Sequence, residues 1–273
     1  MKFKKKDIAP ILAILAAATD LVRPQHKYVK VKFNETSARF VLFSAFGISI
    51  AEVPGESSGR TFSGIYSINL LNSYVKSVDD DDDYVSFEKD KLVLPNAEYT
   101  FDPFMLEIDN EDTILKKIGN PDFTENVKCV DLLGVAENFS STSVNGMGAV
   151  ILFENSVVAS DRRVSCIINS NQTVENPITF SSGFIKILKL LKVPEFSITQ
   201  YTHNSLIFYK IAVGDVQFYL KKVDCSVEDY SQDKFKVKYE HEGYVIVDRV
   251  ILQKALGRMS MSVYENPDTR IYL

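Results

Sequence analysis

FSSGFIKILKLLKV, residues 180–193, places Phe184, Ile187, Leu188 and Leu191 at i, i+3, i+4 and i+7, which puts all four on one face of a helix. The same face occurs about 116 residues earlier in SINLLNSYVKSV, residues 67–78, where Ile68 answers to Phe184 and shares a side with Leu71 and Val75. Two amphipathic segments at a fixed offset raise the question of an internal repeat. Their surroundings answer it.

Before the earlier segment, Ile8, Ile11, Leu12 and Leu15 pattern a first helix, with Asp7 able to cap it and Pro10 early enough to be tolerated. Strand-like runs follow at 28–33, 38–43 and 47–53. After the segment come runs at 84–87 and 91–94, around a Lys-Asp turn, and at 99–101. The order then recurs. Val127, Val130 and Ala136 pattern a helix, runs at 148–153, 156–159 and 164–168 read as strands, and the quoted helix is followed by runs at 196–199, 205–212 and 216–223. A third copy starts with Leu252, Ala255, Leu256 and Met259 on a helical face and a strand at 269–273, where the chain stops. One helix and one strand cannot enclose a core of their own.

These observations predict an α+β protein in which two helices per copy pack on antiparallel sheets, with domains at 1–122 and 123–240 and the beginning of a truncated third domain at 241–273. The helices are too narrowly apolar to be buried all round, so their polar faces are left free.

Composition narrows the function. A chain of 273 residues, 45% hydrophobic, has ample material for packed cores. Its longest apolar run, around residues 11–18, falls short of the roughly 20 residues that span a bilayer. The basic start MKFKKKDIAP lacks a small-residue cleavage site followed by a cysteine-paired domain, so no membrane association and a cytoplasmic location are expected. Three widely spaced cysteines, Cys129, Cys166 and Cys225, argue against a disulfide framework or a zinc site and for reduced, buried thiols.

A net charge of −5 argues against a protein that coats nucleic acid with its whole surface, but not against one with a single basic face. Five adjacent carboxylates at 79–83 read as an exposed loop, since they lack the Gly and terminal Glu of an EF-hand. Glu107, Asp109, Glu111 and Asp112 read either as a metal cluster or as a solvated linker.

Cations gather at the helices. Lys4, Lys5 and Lys6 crowd the start of the first, and Lys76 ends the second. Lys186, Lys189 and Lys192 project from the side and back of the quoted helix, and Arg249, Lys254 and Arg258 do likewise in the third copy. In the first helix of the second copy, Glu125, Asp131 and Glu137 accompany Lys128. A recurrent cationic face suits a polyanion; ordinary solvated lysines are the competing explanation.

Catalytic candidates are few. His26, His203 and His241 have no partner spacing and read as surface or strand residues, Ser160 and Asp161 have no histidine placed beside them, and no GxGxxG or GxxxxGK[ST] loop is present. Neither an enzyme nor a cofactor is expected. One stretch remains: VNGMGAVILFENSVVASDRRVSCI, residues 144–167, is a pair of apolar runs broken by Ser-Asp-Arg-Arg. Such a break suits half of an active site, an anion-binding turn or the rim of a protein-docking groove.

In its motifs and their order the chain resembles the bacterial sliding-clamp family, the beta subunits of replicative DNA polymerases, and phage-type members especially. Val144-Asn145-Gly146-Met147 stands for the family's Leu-Asn-Gly-Met, and Ala159-Ser160-Asp161-Arg162-Arg163-Val164 for its Ala-Thr-Asp-Gly-His-Arg-Leu, one residue shorter. Cys225-Ser226-Val227-Glu228-Asp229-Tyr230 stands for its Gly-Arg-Phe-Pro-Asp-Tyr turn, and residues 249–261 with Arg270-Ile271-Tyr272 for the opening of its third domain.

The resemblance implies a homo-oligomeric ring with helices lining a hole, through which double-stranded DNA threads without its sequence being read. It also implies a DNA polymerase and an ATP-powered clamp loader as partners, at the nucleoid or, for a phage protein, in the host cytoplasm. By the same likeness, Val144, Ser160, Asp161, Arg162, Arg163 and Val164 belong to the wall of a groove for short peptides, Val144 and Val164 forming an apolar slot and the arginines its polar edge. Glu228 and Asp233 stand where the family has proline and a hydrophobic residue, and much of the slot comes from a full third domain, so weak peptide affinity is expected. Three domains would favour a dimer, two a trimer, and a missing closing surface a monomer. The rivals are a non-ring replication scaffold built of the same domains, and a hydrolase or transferase using Asp161 with Arg162 or Arg163.

Overall fold

The stripe at Ile8, Ile11, Leu12 and Leu15 becomes α1 (Lys5–Ala17) in the computed structural model, with all four side chains buried. The structure describes residues 1–19, 24–44, 47–56, 59, 61–88, 91–101, 115, 119–140, 149–160, 165–203 and 206–223. Asp7 lies in the first turn of α1 rather than at its cap, a place where a carboxylate still favours the positive end of the helix dipole. The N–H groups of Lys5 and Lys6 are instead satisfied by the carbonyls of Asp83 and Asp81, at 2.9 and 3.0 Å. Pro10 sits exposed inside the helix, so its missing hydrogen bond falls on the solvent side.

The repeat is finer than two copies. Four times the chain forms a strand, a helix and three strands. The first unit is β1 (Lys2–Lys4), α1, β2 (Tyr28–Phe33), β3 (Ser37–Ser44) and β4 (Gly47–Pro54); the second is β5 (Phe62–Ser67), α2 (Ile68–Lys76), β6 (Tyr84–Phe87), β7 (Lys91–Leu94) and β8 (Ala97–Thr100). The third is β9 (Pro121–Val127), α3 (Val130–Ala136), β10 (Ala149–Phe153), β11 (Ser156–Ser160) and β12 (Ser165–Asn169); the fourth is β13 (Ile178–Ser181), α4 (Ser182–Leu191), β14 (Phe196–His203), β15 (Leu206–Val213) and β16 (Val216–Lys221). Val127, expected on a helix, ends β9, where Phe123, Glu125 and Val127 alternate inward. Alternation of period two wins there over a helical reading that rested on three residues.

Within each pair of units the leading strands are exchanged. β1 joins the sheet β1-β6-β7-β8, and β5 joins β2-β3-β4; likewise β13 pairs with β10, and β9 with β14. Each unit thus lends a strand to its neighbour's sheet.

β4 and β16 then pair antiparallel, from Val216 opposite Ala51 to Leu220 opposite Gly47, fusing two four-stranded sheets into one of eight in the order β5-β2-β3-β4-β16-β15-β14-β9. One face of this sheet buries Val31, Phe33, Phe40, Tyr209, Ile211 and Phe218 in a core shared with Leu12, Leu71, Leu133 and Leu188 of the helices. Each such side chain contributes about 1.5–3 kcal/mol by leaving water. The other face carries a small apolar cluster of Val41, Ile48 and Ile50, against which Phe43, Leu115 and Tyr219 pack. Helices on one side and a largely polar sheet surface on the other give the α+β layering expected.

Candidate functional site

α1 lies beside α2 and α3 beside α4, and α1 touches α4 where the two sheets meet, so helices of both copies form one contiguous layer. Ile14 of α1 also reaches the β15–β16 turn at Gly214. The cations read from the sequence must be judged on this layer.

Lys4 ends β1, and Lys5 and Lys6 open α1. All three meet the acidic turn between α2 and β6. Lys5 Nζ lies 2.8 Å from Asp81, Lys6 Nζ 2.6 Å from Asp82, and Lys4 Nζ 3.9 Å from the same Asp82 carboxylate. The Lys5 side chain is only 15% exposed, whereas those of Asp81 and Asp82 are 75% and 69% exposed. The hydrogen bond and charge of Lys6 hold the Asp82 carboxyl below the usual carboxylate range, and Asp82 raises Lys6 in return. The run at 79–83 is exposed except for half-buried Asp83, but its carboxylates face cations as well as solvent.

On α4, Ser182, Lys186 and Lys189 fall at i, i+4 and i+7 and converge on Glu137, the first residue of the 3-10 turn Glu137–Phe139 that continues α3. The Ser182 hydroxyl donates to Glu137 Oε1 at 2.8 Å, and Lys186 and Lys189 approach the two carboxylate oxygens at 3.4 Å each. The Glu137 side chain is 7% exposed. Read from the sequence as one acid among several on a helix face, it is a buried anchor between α3 and α4. The i, i+4, i+7 spacing of its partners was the available signal. Glu125, from the same group, lies on β9, where burial pushes its carboxyl up.

Lys76 ends α2 and Lys192 caps α4 in a left-handed conformation, φ 53°. Both are exposed, and neither has an ion pair among the described residues. Arg249, Lys254 and Arg258 lie outside the described residues.

Of the groove residues, Ser160 is buried at the end of β11, directly opposite Ser165 of β12. Val144, Asp161, Arg162, Arg163 and Val164 lie outside the described residues, as do Glu228 and Asp233. The break at 161–164 therefore falls between two paired strands.

Other chemistry is thin. Cys129 is a buried free thiol and Cys166, expected to be buried, is half-buried; desolvation pushes both up. Cys225 and His241 lie outside the described residues, as do the acidic residues 107, 109, 111 and 112. His203 ends β14; His26, expected on a surface or strand, is buried in the 3-10 turn Pro24–Lys27. An open depression of about 680 Å³ is lined by Lys128, Cys129, Asp131, Ser170 and Gln172 among others. Gln172 spans it, accepting from Lys128 N at 2.8 Å and donating to the Asn126 carbonyl. Among the described residues, no group of three or more His, Cys, Asp or Glu side chains is placed to hold a metal ion, and no helix is long and apolar enough to cross a membrane.

No protein-family model matches the sequence, and no curated protein does. Solved structures do. DNA polymerase III beta subunit from Thermotoga maritima matches at TM-score 0.74 and 14% identity, over 97% of this chain and 75% of that one. DNA polymerase III subunit beta from Pseudomonas aeruginosa matches at TM-score 0.69 and 15% identity, over 96% and 74%. A putative DNA polymerase III beta subunit from Eubacterium rectale matches at TM-score 0.69 and 9% identity, over 95% and 73%. At these identities the likeness establishes the fold: the chain has the sliding-clamp fold.

Proposed function

We propose that this chain is a non-catalytic sliding-clamp subunit, which encircles duplex DNA and tethers a replicative polymerase to it. The observation that carries the reading is the β4–β16 joint. It pairs the last strand of the first unit with the last strand of the fourth and brings the helices of both copies into one layer. The last strands of the second and third units, β8 and β12, are sheet edges among the described residues. By the internal repeat they are the counterparts of β4 and β16, one at each end of the two-copy body. A head-to-tail contact of the same kind at β12 and β8 propagates the layer, and closes it where the rotation allows. The proposal takes 1–122 and 123–240 as the two clamp-like domains and 241–273 as the beginning of a third.

Enclosure, rather than affinity, would retain the DNA, so Lys4, Lys5, Lys6, Lys76, Lys186, Lys189, Lys192, Arg249, Lys254 and Arg258 need only make weak, exchangeable phosphate contacts. The segment with Val144, Ser160, Asp161, Arg162, Arg163 and Val164 would receive peptides of the polymerase and of an ATP-powered loader. Tethering then keeps the polymerase at high local concentration. A cytoplasmic location follows from this role.

The test is retention on nicked circular DNA after loading, compared with the same DNA linearised. A clamp stays on the circle and runs off the linear form. Equal loss from both favours a non-ring scaffold of the same domains.

A further inference from the structure

We propose that the acidic turn at 79–83 is an internal competitor for the polyanion that the helix layer receives, holding the first-helix cations in reserve. The inference rests on the reading of that layer as DNA-facing.

Two kinds of contact join the turn to α1, and they are separable. The carbonyls of Asp83 and Asp81 accept the N–H groups of Lys5 and Lys6, at 2.9 and 3.0 Å, and fix the turn by main-chain bonds. The carboxylates of Asp81 and Asp82 independently take the ammonium groups of Lys5, Lys6 and Lys4. Five aspartates therefore stand against three lysines, and the corner is net negative although it holds the densest run of cations in the described part of the layer. A phosphate approaching Lys5 or Lys6 has to displace a carboxylate already in place and meets the remaining aspartates at close range. Because Asp81 and Asp82 are largely exposed, that exchange is reversible. Glu137 differs: it is buried and also holds Ser182, so its hold on Lys186 and Lys189 is architectural.

The main-chain bonds make the charge removable without moving the turn. Asp80 is left intact, since its carboxylate accepts the Asp82 N–H at 2.9 Å. In Asp81→Asn/Asp82→Asn, affinity for a short linear duplex at low salt is expected to rise several-fold. The plot of log affinity against log salt is expected to steepen by about 2, near 0.9 for each of Lys5 and Lys6, since Lys4, at 3.9 Å from Asp82, is held only at the margin of an ion pair. Adding Lys5→Ala/Lys6→Ala to that variant should abolish the gain, while the same lysine changes in the wild-type chain should do little. Unchanged affinity and slope, or a gain that survives loss of both lysines, overturns the competitor. Lys76→Gln/Lys192→Gln separates the two ideas. If it weakens binding while the aspartate variant has no effect, only the competitor fails; if neither variant changes binding, the DNA-facing reading fails and takes the competitor with it.

Discussion

Gly47 is held at φ 146° with its backbone against β16, and a Cβ there would lie 2.0 Å from the Tyr219 carbonyl oxygen. The atoms in the way, the Tyr219 carbonyl and the Leu220 Cα, are backbone rather than a flexible side chain, so the joint itself would have to open. Gly47→Ala is expected to cost at least about 2 kcal/mol in denaturant unfolding. It should also raise amide exchange in β4 and β16 before β10 or β13. Glu137 is a second such point. Glu137→Ala leaves the Ser182 hydroxyl and two ammonium groups without their acceptor and is expected to cost about 1–3 kcal/mol; Glu137→Gln, which keeps an acceptor for Ser182, should cost less. Asp82 gives a pH signature. Its folded carboxyl is depressed by Lys6, so the pairing contributes above the unfolded value of about 3.9 and is lost as pH falls through the folded one. In Lys6→Ala the Asp82 midpoint, followed by carboxyl NMR, should move up. A midpoint that stays put removes Lys6 as the cause.

At the scale of elements, the helices were legible because a period of 3.6 needs only one chain segment to declare itself: α2 buries the residues its stripe named, and α4 buries Phe184, Ile187 and Leu188 while Leu191, in its last turn, is half-buried. The leading strands were not. β1 has three residues and β13 four, each runs directly into a helix, and each pairs with a strand from another unit. No local pattern reports an exchange whose partner lies more than eighty residues away, as Lys2 and Ser86 do. The site was legible in part for the same reason. Lysines on helix faces can be read from spacing, but their neutralisation by Asp81, Asp82 and Glu137 depends on a turn and a helix end brought in by tertiary packing. The thiols test packing at this scale. Cys129, buried just before α3, should alkylate far more slowly in the native protein than in urea, as read by peptide mass spectrometry. Equal rates would mean that the junction of β9 and α3 opens freely.

For the whole molecule, the decisive quantity is what the sheet edges do. An edge strand presents unpaired backbone groups and seeks a partner unless charge or cover prevents it. β4 and β16 have found each other, and the two strands related to them by the repeat, β8 and β12, which are edges among the described residues, carry few charges: Glu98 on one and none on the other. Ile167, in the middle of β12, leaves 39% of its surface exposed. A lysine at this position adds a charge that resists edge-to-edge pairing, while the main core, which does not include Ile167, is untouched. Ile167→Lys is therefore expected to change unfolding stability by no more than about 0.5 kcal/mol, yet to lower the mass of the assembled species in sedimentation and to abolish retention on nicked circular DNA. Loss of retention with an intact fold locates the closing contact at β12. Unaltered mass and retention would remove β12 from the assembly, and with it the inference that the β4–β16 joint is the pattern for the contacts between modules.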